Sequence, residues 1–539
     1  MKKLLIGNHA IIQAALDSGV SYVSGYPGCP SAEIGDDFAK IAAENGVYVE
    51  WATNEKVGLE SAIGASFSGL KSLVNMKSFG INVCADSLLP LAYTGTKGAM
   101  VIVIADDPSC WSSAQTEQNS RLYSHLSHIP TLEPANPQEC YDFTMLAYEI
   151  SEKFNTPVIL HTVTRVNHQK MPVVFEGKKR DSEFKKGNFI KNHRQYVTMP
   201  PRTLEMKKEL LDKVEKIKAY VEKSKVNKID LSNNKFGIIV SGVAYLHVKE
   251  ALEELKLDLP ILKLGFFYPL PDEKIRKFIG SLKKVLVVEE LDGIIEKEIT
   301  ALAKNANAKL EIFGKNLLPI IGELNVEKVC IALAKITGKK FSGFKVKDLN
   351  LLKRTAKLCD GCPYWYVFPV LKRIAPDAIY GGDIGCNMIA SLAPHDLDDY
   401  MFAMGAGLGI SHGVSKSTNQ KVISIMGDGT FFHSGISSLI NAVYNKSHPL
   451  FILLDNRITA MTGHQPNPGM GKTLMGENSD EISLEEIAKA CGVKHVKVLD
   501  PINRLEFEDT VKEFLEKDEV SLIICKRICA LLERRQKKL

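Results

Sequence analysis

The chain has 539 residues, 45% of them hydrophobic and 24% charged, enough to bury several cores and to fill about three or four domains. Its formal net charge of +5 is small for this length and spread over many lysines, so no nucleic-acid partner is expected. No run approaches the roughly 20 apolar residues of a membrane span, and Asn8, His9, Gln13 and Asp17 interrupt the first apolar stretch too soon for a signal-peptide core. A cytoplasmic protein with no membrane partner is the expectation.

In chain order, helix-like periodicity over 8–19, 54–70 and 137–153 alternates with strand-like runs at 71–76, 100–105 and 157–163. That alternation predicts a doubly wound parallel sheet over residues 1–170. Glu55 opens a helix packed with small residues, among them Gly58, Ser61, Ala62 and Gly64, which permits close approach to a helix or a ligand. The Glu55 carboxylate has two readings here: an ordinary first-turn acid at a helix N-terminus, or a catalytic acid.

Residues 171–234 read as a connection wrapped on the surface: the chain turns polar and basic over 177–202, which ends near Pro200-Pro201, before a predicted helix from Thr203 to about Ser224. A second, smaller α/β block over 235–340 starts with the strand-like FGIIVSGVA and includes KVLVVEEL at 284–291. The third block, 341–539, holds the most informative stretch, KVISIMGDGTFFHSGISSLINAVYNKSHPLFILLDNR at 421–457. KVISIM and PLFILL read as parallel strands joined through a helix, so their carboxyl ends should lie side by side. Ligands bind at that edge of an open α/β sheet. Gly427 and Gly429 allow a diphosphate to approach the backbone, while Asp428, Asn456 and the Ile458 carbonyl offer hard oxygens to Mg²⁺. A bare Gly-Asp-Gly also fits a simple turn after a strand; the second strand with Asn456 favours the diphosphate site.

Eleven cysteines in so long a chain do not form a secreted disulfide framework, and Cys84, Cys140 and Cys330 read as small apolar fillers. Cys359 and Cys362 form a Cys-x-x-Cys pair in a Gly/Pro loop, Cys386 follows another glycine turn, and Cys529 comes after the last strand-like run, with Cys525 as its competitor. Four thiolates are what a [4Fe-4S] cluster requires.

Segments 25–35 (GYPGCPSAEIG), 54–70 (NEKVGLESAIGASFSGL) and 104–123 (IADDPSCWSSAQTEQNSRLY) resemble the pyrimidine-binding domain of thiamine diphosphate-dependent 2-oxoacid:ferredoxin oxidoreductases, with the indolepyruvate type the nearest likeness. Segments 359–363 (CDGCP), 382–387 (GDIGCN) and 426–469, which ends in TAMTGHQPNPG, resemble the same family's diphosphate-binding domain in the same order. The resemblance implies two doubly wound parallel-sheet domains flanking a smaller domain of transketolase carboxyl-terminal type. It also implies oxidative decarboxylation of aryl 2-oxoacids such as indolepyruvate to an acyl-CoA, with electrons passed to ferredoxin.

By position, the resemblance makes Glu55 the acid that hydrogen-bonds the aminopyrimidine and Arg121 a cation near the substrate. His433 and His464 would handle protons or the oxoacid, and Cys359, Cys362, Cys386 and Cys529 would hold one proximal [4Fe-4S] cluster. Cys29 stands where the family usually has a threonine that aids the substrate, and a thiol is the weaker hydrogen-bonding group. Family members commonly continue into a ferredoxin-like domain with two Cys-x-x-Cys-x-x-Cys runs. No such run occurs in these 539 residues, so electrons are expected to leave through the proximal cluster, a partner subunit or a separate ferredoxin. A small subunit in a hetero-oligomer, such as a dimer of heterodimers, is the expected assembly. The competing readings are a non-oxidative thiamine-dependent decarboxylase, which needs no cluster, and a non-catalytic scaffold, against which the intact Glu55, Asp428 and Asn456 argue.

Overall fold

A computed structural model describes residues 1–344 and 355–537, and the chain divides into two compact units, Met1–Asp348 and Leu349–Leu539. The first unit is built on a seven-stranded sheet in the order Phe266–Tyr268, Thr131–Leu132, Val158–Val163, Met100–Asp106, Ser72–Lys77, Tyr22–Gly25, Tyr48–Val49. All its pairings are parallel except that of the first strand. Met100–Asp106 is buried along its whole length, as expected of a β-branched central strand covered on both faces. Its apolar side chains each contribute about 1.5–3 kcal/mol by leaving water.

The helix Glu55–Phe67 is capped by the Asn54 side chain, which accepts a hydrogen bond from the Val57 N–H at 2.9 Å. Gly58 lets it lie close on the first-sheet strand: a Cβ there would come 3.1 Å from the Gly25 Cα. The expected strand runs at 71–76, 100–105 and 157–163 and the helices at 8–19, 54–70 and 137–153 correspond to Ser72–Lys77, Met100–Asp106, Val158–Val163, Gly7–Ser18, Glu55–Phe67 and Pro137–Phe154.

The polar connection after Val174 runs over the surface, tied back where Arg180 donates to the carbonyls of Leu16, Val20 and Asn45. Helix Arg202–Lys223 follows, and its buried side chains Met206, Leu210, Val214, Ile217 and Val221 recur every three or four residues. The smaller block forms a five-stranded sheet in the order Glu311–Phe313, Lys284–Val288, Phe236–Ser241, Ile261–Leu264, Lys228–Asp230. One feature of this block escapes its sequence. Directly after Ile261–Leu264, Phe266–Tyr268 leaves for the edge of the larger sheet and pairs antiparallel with Thr131–Leu132, so the two blocks are stitched by backbone hydrogen bonds.

The second unit is a five-stranded parallel sheet in the order Ile379–Gly381, Val422–Gly427, Leu450–Asp455, Ser521–Lys526, His495–Leu499. Part of the start expected for this block lies outside the described residues. Val422–Gly427 and Leu450–Asp455 pair directly, with Gly427 opposite Leu454, so their carboxyl ends do lie side by side. Among the described residues no helix is long and apolar enough to cross a membrane.

Candidate active site

In the first unit, the carboxyl edge of the larger sheet gathers Cys29 after Tyr22–Gly25, Glu55 after Tyr48–Val49, Lys77 at the end of Ser72–Lys77 and Asp106-Asp107 at the end of Met100–Asp106. Glu55 is only 8% exposed. Its carboxylate lies over the first turn of helix Ser78–Thr94, where a Cβ at Gly80 would come 2.5 Å from the Glu55 Cγ. Burial raises the Cys29 thiol above its ordinary range, Glu33 adds to this, and Lys77 opposes it. The thiol is therefore held neutral. Asp107 accepts from the Ser112 N–H at 2.8 Å, the Ser113 hydroxyl at 2.6 Å and the Thr164 hydroxyl at 2.6 Å, and these donors outweigh burial and keep it ionised.

Arg121 occupies a different setting from the edge. Its side chain is 1% exposed, with Nη1 3.4 Å from Glu289 and 3.9 Å from Glu133, Nε donating to Asn119 at 3.0 Å and Nη2 to the Glu290 carbonyl. Its guanidinium also stacks on Phe267, 5.0 Å from the ring centre. Against the cost of burial, Arg121 and His161 hold the Glu133 carboxyl down at about 2. His161 is buried too, yet Asp106 and Glu133, each 3.0 Å from it, hold the ring up at about 9. This ion network joins the larger sheet to the smaller block, and the Arg121 charge is answered inside it.

In the second unit, Asp428 follows the strand Val422–Gly427 and is 3% exposed. It accepts from its neighbour Gly429 N–H at 2.8 Å and from the Asn467 side chain at 3.0 Å, and the Arg457 N–H bonds it as well. Even so, burial and the charge of Asp455 push its carboxyl up to about 7. Arg457 and Lys526 act on Asp455, but no cation is among the main influences on Asp428, and a buried carboxylate so placed invites one. Asn456 and Ile458 sit in the same turn, the Asn456 side-chain Oδ1 accepting from the Ile458 N–H at 3.1 Å. The backbone around Asp428 is kept thin: a Cβ at Gly429 would come 2.9 Å from the Thr459 Oγ1, and one at Gly427 would meet only the Asn387 Oδ1, at 3.6 Å. Hard-oxygen donors and bare glycines are what a metal-bridged diphosphate needs.

The turn after Asp428 is π-helical over Phe431–Gly435, a geometry common at functional sites. It carries His433, 5% exposed, whose Nδ1 lies 2.7 Å from the Ser434 hydroxyl and whose charge Asp383 feels. Asp383 itself accepts N–H bonds from Ile384, Gly405 and Gly407, and burial pushes it up to about 6. His464 lies elsewhere, its Nε2 3.6 Å from the Cys529 Sγ.

The four expected cysteine ligands share one neighbourhood. Burial first, then the other thiols, raises Cys362 to about 11 and Cys386 to about 12; Cys362 feels Cys359 and Cys529, and Cys386 feels Cys362, Cys529 and Cys359. Arg534, from the helix after Cys529, donates to the Asp360 carbonyl at 2.9 Å and so fastens the Cys-x-x-Cys loop to that helix. Cys525 is 2% exposed in the core against which Cys362 and Cys386 also pack, but burial and Asp500, not the other thiols, are what it feels. Cys84, Cys140 and Cys330 are fully buried in cores. Among the described residues no three His, Cys, Asp or Glu side chains converge on a single metal ion.

Tyr364 connects the two groups. It is 3% exposed, its hydroxyl accepts from the Asn456 side chain at 2.9 Å, and it feels Cys386, Asp428 and Cys362 together. Sequence reasoning missed Tyr364, Asp383 and Asn467. Their signals were present, since they follow CDGC, sit in GDIGCN and end GHQPN, but their partners lie tens of residues away.

Comparison with known proteins places this geometry. Residues 13–227 match the pyruvate flavodoxin/ferredoxin oxidoreductase thiamine diphosphate-binding family, 225–316 the indolepyruvate ferredoxin oxidoreductase middle domain, and 383–525 the thiamine pyrophosphate enzyme C-terminal TPP-binding domain. The indolepyruvate oxidoreductase subunit IorA of Methanothermobacter marburgensis is 41% identical over 98% of this chain and 87% of its own. The subunit of the same name from Archaeoglobus fulgidus is 38% identical over 100% and 88%. A solved 2-oxoglutarate:ferredoxin oxidoreductase from Magnetococcus marinus, 17% identical, superposes on 62% of this chain and 65% of its own with a TM-score of 0.50, a likeness of fold. The chain belongs to the IorA family of indolepyruvate oxidoreductase subunits.

Proposed function

We propose that this chain is the large catalytic subunit of an indolepyruvate:ferredoxin oxidoreductase, a thiamine diphosphate enzyme that converts aryl 2-oxoacids to acyl-CoA and passes the electrons to ferredoxin. Family membership supports the activity class. The observation that carries the oxidative form over simple decarboxylation is Tyr364, held between the Asp428–Asn456 turn and the thiols of Cys362 and Cys386. A decarboxylase has no use for four grouped thiols beside its diphosphate site.

Bound thiamine diphosphate supplies the electron sink that lets a 2-oxoacid lose CO₂. Asp428, Asn456 and the Ile458 carbonyl hold Mg²⁺, with Gly427 and Gly429 leaving room for the diphosphate. Glu55, buried and aimed over Gly80, serves the aminopyrimidine. Cys359, Cys362, Cys386 and Cys529 would hold one [4Fe-4S] cluster, which would carry the electrons outward. His464 lies against one of these sulfurs, and His433 lies near the buried Asp383. A smaller partner subunit completes a hetero-oligomer in the cytoplasm, and ferredoxin accepts the electrons.

Anaerobic purification with iron and sulfide analysis, followed by viologen reduction dependent on indolepyruvate and thiamine diphosphate with and without CoA, tests this reading. Cluster-level iron with CoA-stimulated dye reduction is expected. An iron-free protein that still consumes the oxoacid would instead be a decarboxylase.

A further inference from the structure

The assigned reaction requires a cation for the substrate's carboxylate, and two residues of the first unit are candidates. The Arg121 guanidinium is enclosed by Glu289, Glu133, Asn119 and the Glu290 carbonyl: its charge faces two carboxylates and its Nε and Nη2 are hydrogen-bonded, while Nη1, 3.4 Å from Glu289, makes no hydrogen bond of its own among the described residues. Lys77 differs on each count. It ends the interior strand Ser72–Lys77, next to the central one, at the carboxyl edge where a doubly wound sheet binds its ligands. It also immediately precedes helix Ser78–Thr94, whose Gly80 lies under the Glu55 carboxylate.

The lysine is half-buried, and its stem is pinned by the loop that carries Cys29: a Cβ at Gly28 would come 2.8 Å from the Lys77 Cβ. Its ammonium donates to the Ser112 carbonyl at 2.7 Å and lies 5.2 Å from the centre of the Phe79 ring. Among the described residues no carboxylate is ion-paired with it. The acid that acts on it most, Asp107, makes its hydrogen bonds with Ser112, Ser113 and Thr164 instead. Burial lowers the Lys77 pKa, and the charge of Asp107 is the main influence opposing it.

We propose that Lys77 receives the carboxylate of the aryl 2-oxoacid, with the neutral Cys29 thiol beside it and Glu55 across the same helix N-terminus. A partly desolvated ammonium with two unused protons suits a carboxylate better than it suits the neutral aryl group. The inference rests on the function proposed above and names the residue that anchors its substrate.

The test uses the assembled holo-complex with Lys77→Met and Lys77→Arg. Four quantities are measured: the KM for phenylpyruvate, the KM for CoA, and inhibition by 3-phenylpropionate and by its neutral amide. In Lys77→Met, the KM for the oxoacid and the inhibition constant of the propionate should each rise roughly tenfold or more, while the amide and CoA stay within about twofold. Lys77→Arg should restore most of the loss. Equal weakening of acid and amide, no change in either, or a change confined to CoA would overturn the assignment. If Lys77→Met does not fold, Lys77→Gln removes the same charge and is read in the same way. Wild-type turnover separates the two levels: no arylpyruvate oxidation by the parent complex sinks the functional reading itself, whereas normal parental turnover with an unaltered propionate constant in the variants sinks only the role of Lys77.

Discussion

The carboxyl edges of the two large sheets are built alike and charged differently. Each presents the last residues of adjacent parallel strands above helix N-termini. At the first edge, Lys77 and the neutral Cys29 stand with Glu55, and the carboxylate of Asp107 is satisfied by N–H and hydroxyl donors. At the second, Asp383, Asp398, Asp428 and Asp455 are all pushed up by burial, and Asp398 has no hydrogen-bond partner for either oxygen. One edge carries an ammonium not ion-paired with any carboxylate among the described residues; the other carries a cluster of buried carboxylates, with Arg457 and Lys526 acting on Asp455 but no cation among the main influences on Asp428. The shared architecture positions ligands, and the charge left over at each edge determines which part of the reaction it serves.

If the first edge performs acid–base chemistry and the second only holds the cofactor, substitutions should separate turnover from affinity. The largest effect belongs to Glu55→Gln, which keeps the shape of the side chain and its place over Gly80 but removes the ionisable proton. Turnover should fall by roughly 10²–10⁴-fold, the usual worth of a positioned general acid–base, with thiamine diphosphate affinity largely unchanged in a calorimetric titration. Activity near the parental level would remove Glu55 from the chemistry.

Asp428→Ala should do the reverse. Mg²⁺ and thiamine diphosphate should weaken together by at least the roughly 10–100-fold that loss of a supporting group costs a metal site. Enough of both ligands should restore much of the turnover. An unchanged Mg²⁺ affinity would break the comparison at its stronger point, because the second edge would then have no reason to be acidic.

Why the two edges were unequally visible in sequence follows from how each is made. The Asp428–Asn456 site is local: two strands, an intervening helix and a turn, all within 421–457, so their apolar runs and glycines disclose it. Tyr364 reaches that site across 92 positions and Asn467 across 39, and nothing in the neighbouring residues of either signals its partner. Lys77 was hidden for another reason. The strand run 71–76 was legible, but which residue stands at its open end depends on the register with Met100–Asp106 and Tyr22–Gly25. Arg121 shows the converse. Its resemblance to a substrate cation is a matter of chain position, whereas its partners Glu289 and Glu290 come from the smaller block, 168 or more positions on, as the Glu290 contact at a separation of 169 illustrates. The departure of Phe266–Tyr268 to the larger sheet was equally silent, because a three-residue edge strand carries too little periodicity to state which sheet it joins.

The surplus of carboxylates at the second edge should also be measurable as stability. Burial holds Asp398 at about 7, with Asp399 and Asp383 adding to the shift. A carboxyl whose folded pKa lies above its unfolded value keeps its proton longer in the native state, so stability should fall as pH rises from about 4 to about 7 and stay reduced above that. Asp398→Asn removes the penalty. The variant and the parent should melt alike near pH 4, and the variant should be more stable at pH 8 by about 1–3 kcal/mol once solvent screening is allowed for. An Asn variant that is less stable at pH 8 would mean that a cation from solution already balances the group.

The smallest effect is expected at Cys29, where the family resemblance leads one to expect a threonine. Its thiol is held neutral by burial and follows Gly28, which packs on the Lys77 stem, so it contributes a weak hydrogen bond at most beside the proposed carboxylate anchor. Cys29→Thr restores a hydroxyl that both donates and accepts. If Lys77 supplies the charge and residue 29 only an auxiliary hydrogen bond, the change in KM for phenylpyruvate should be no more than the roughly tenfold that one neutral hydrogen bond is worth, and kcat should barely move. A change confined to kcat would place residue 29 against the reacting carbonyl instead of the carboxylate, and the first edge would then be divided between anchoring by Lys77 and activation by its neighbour.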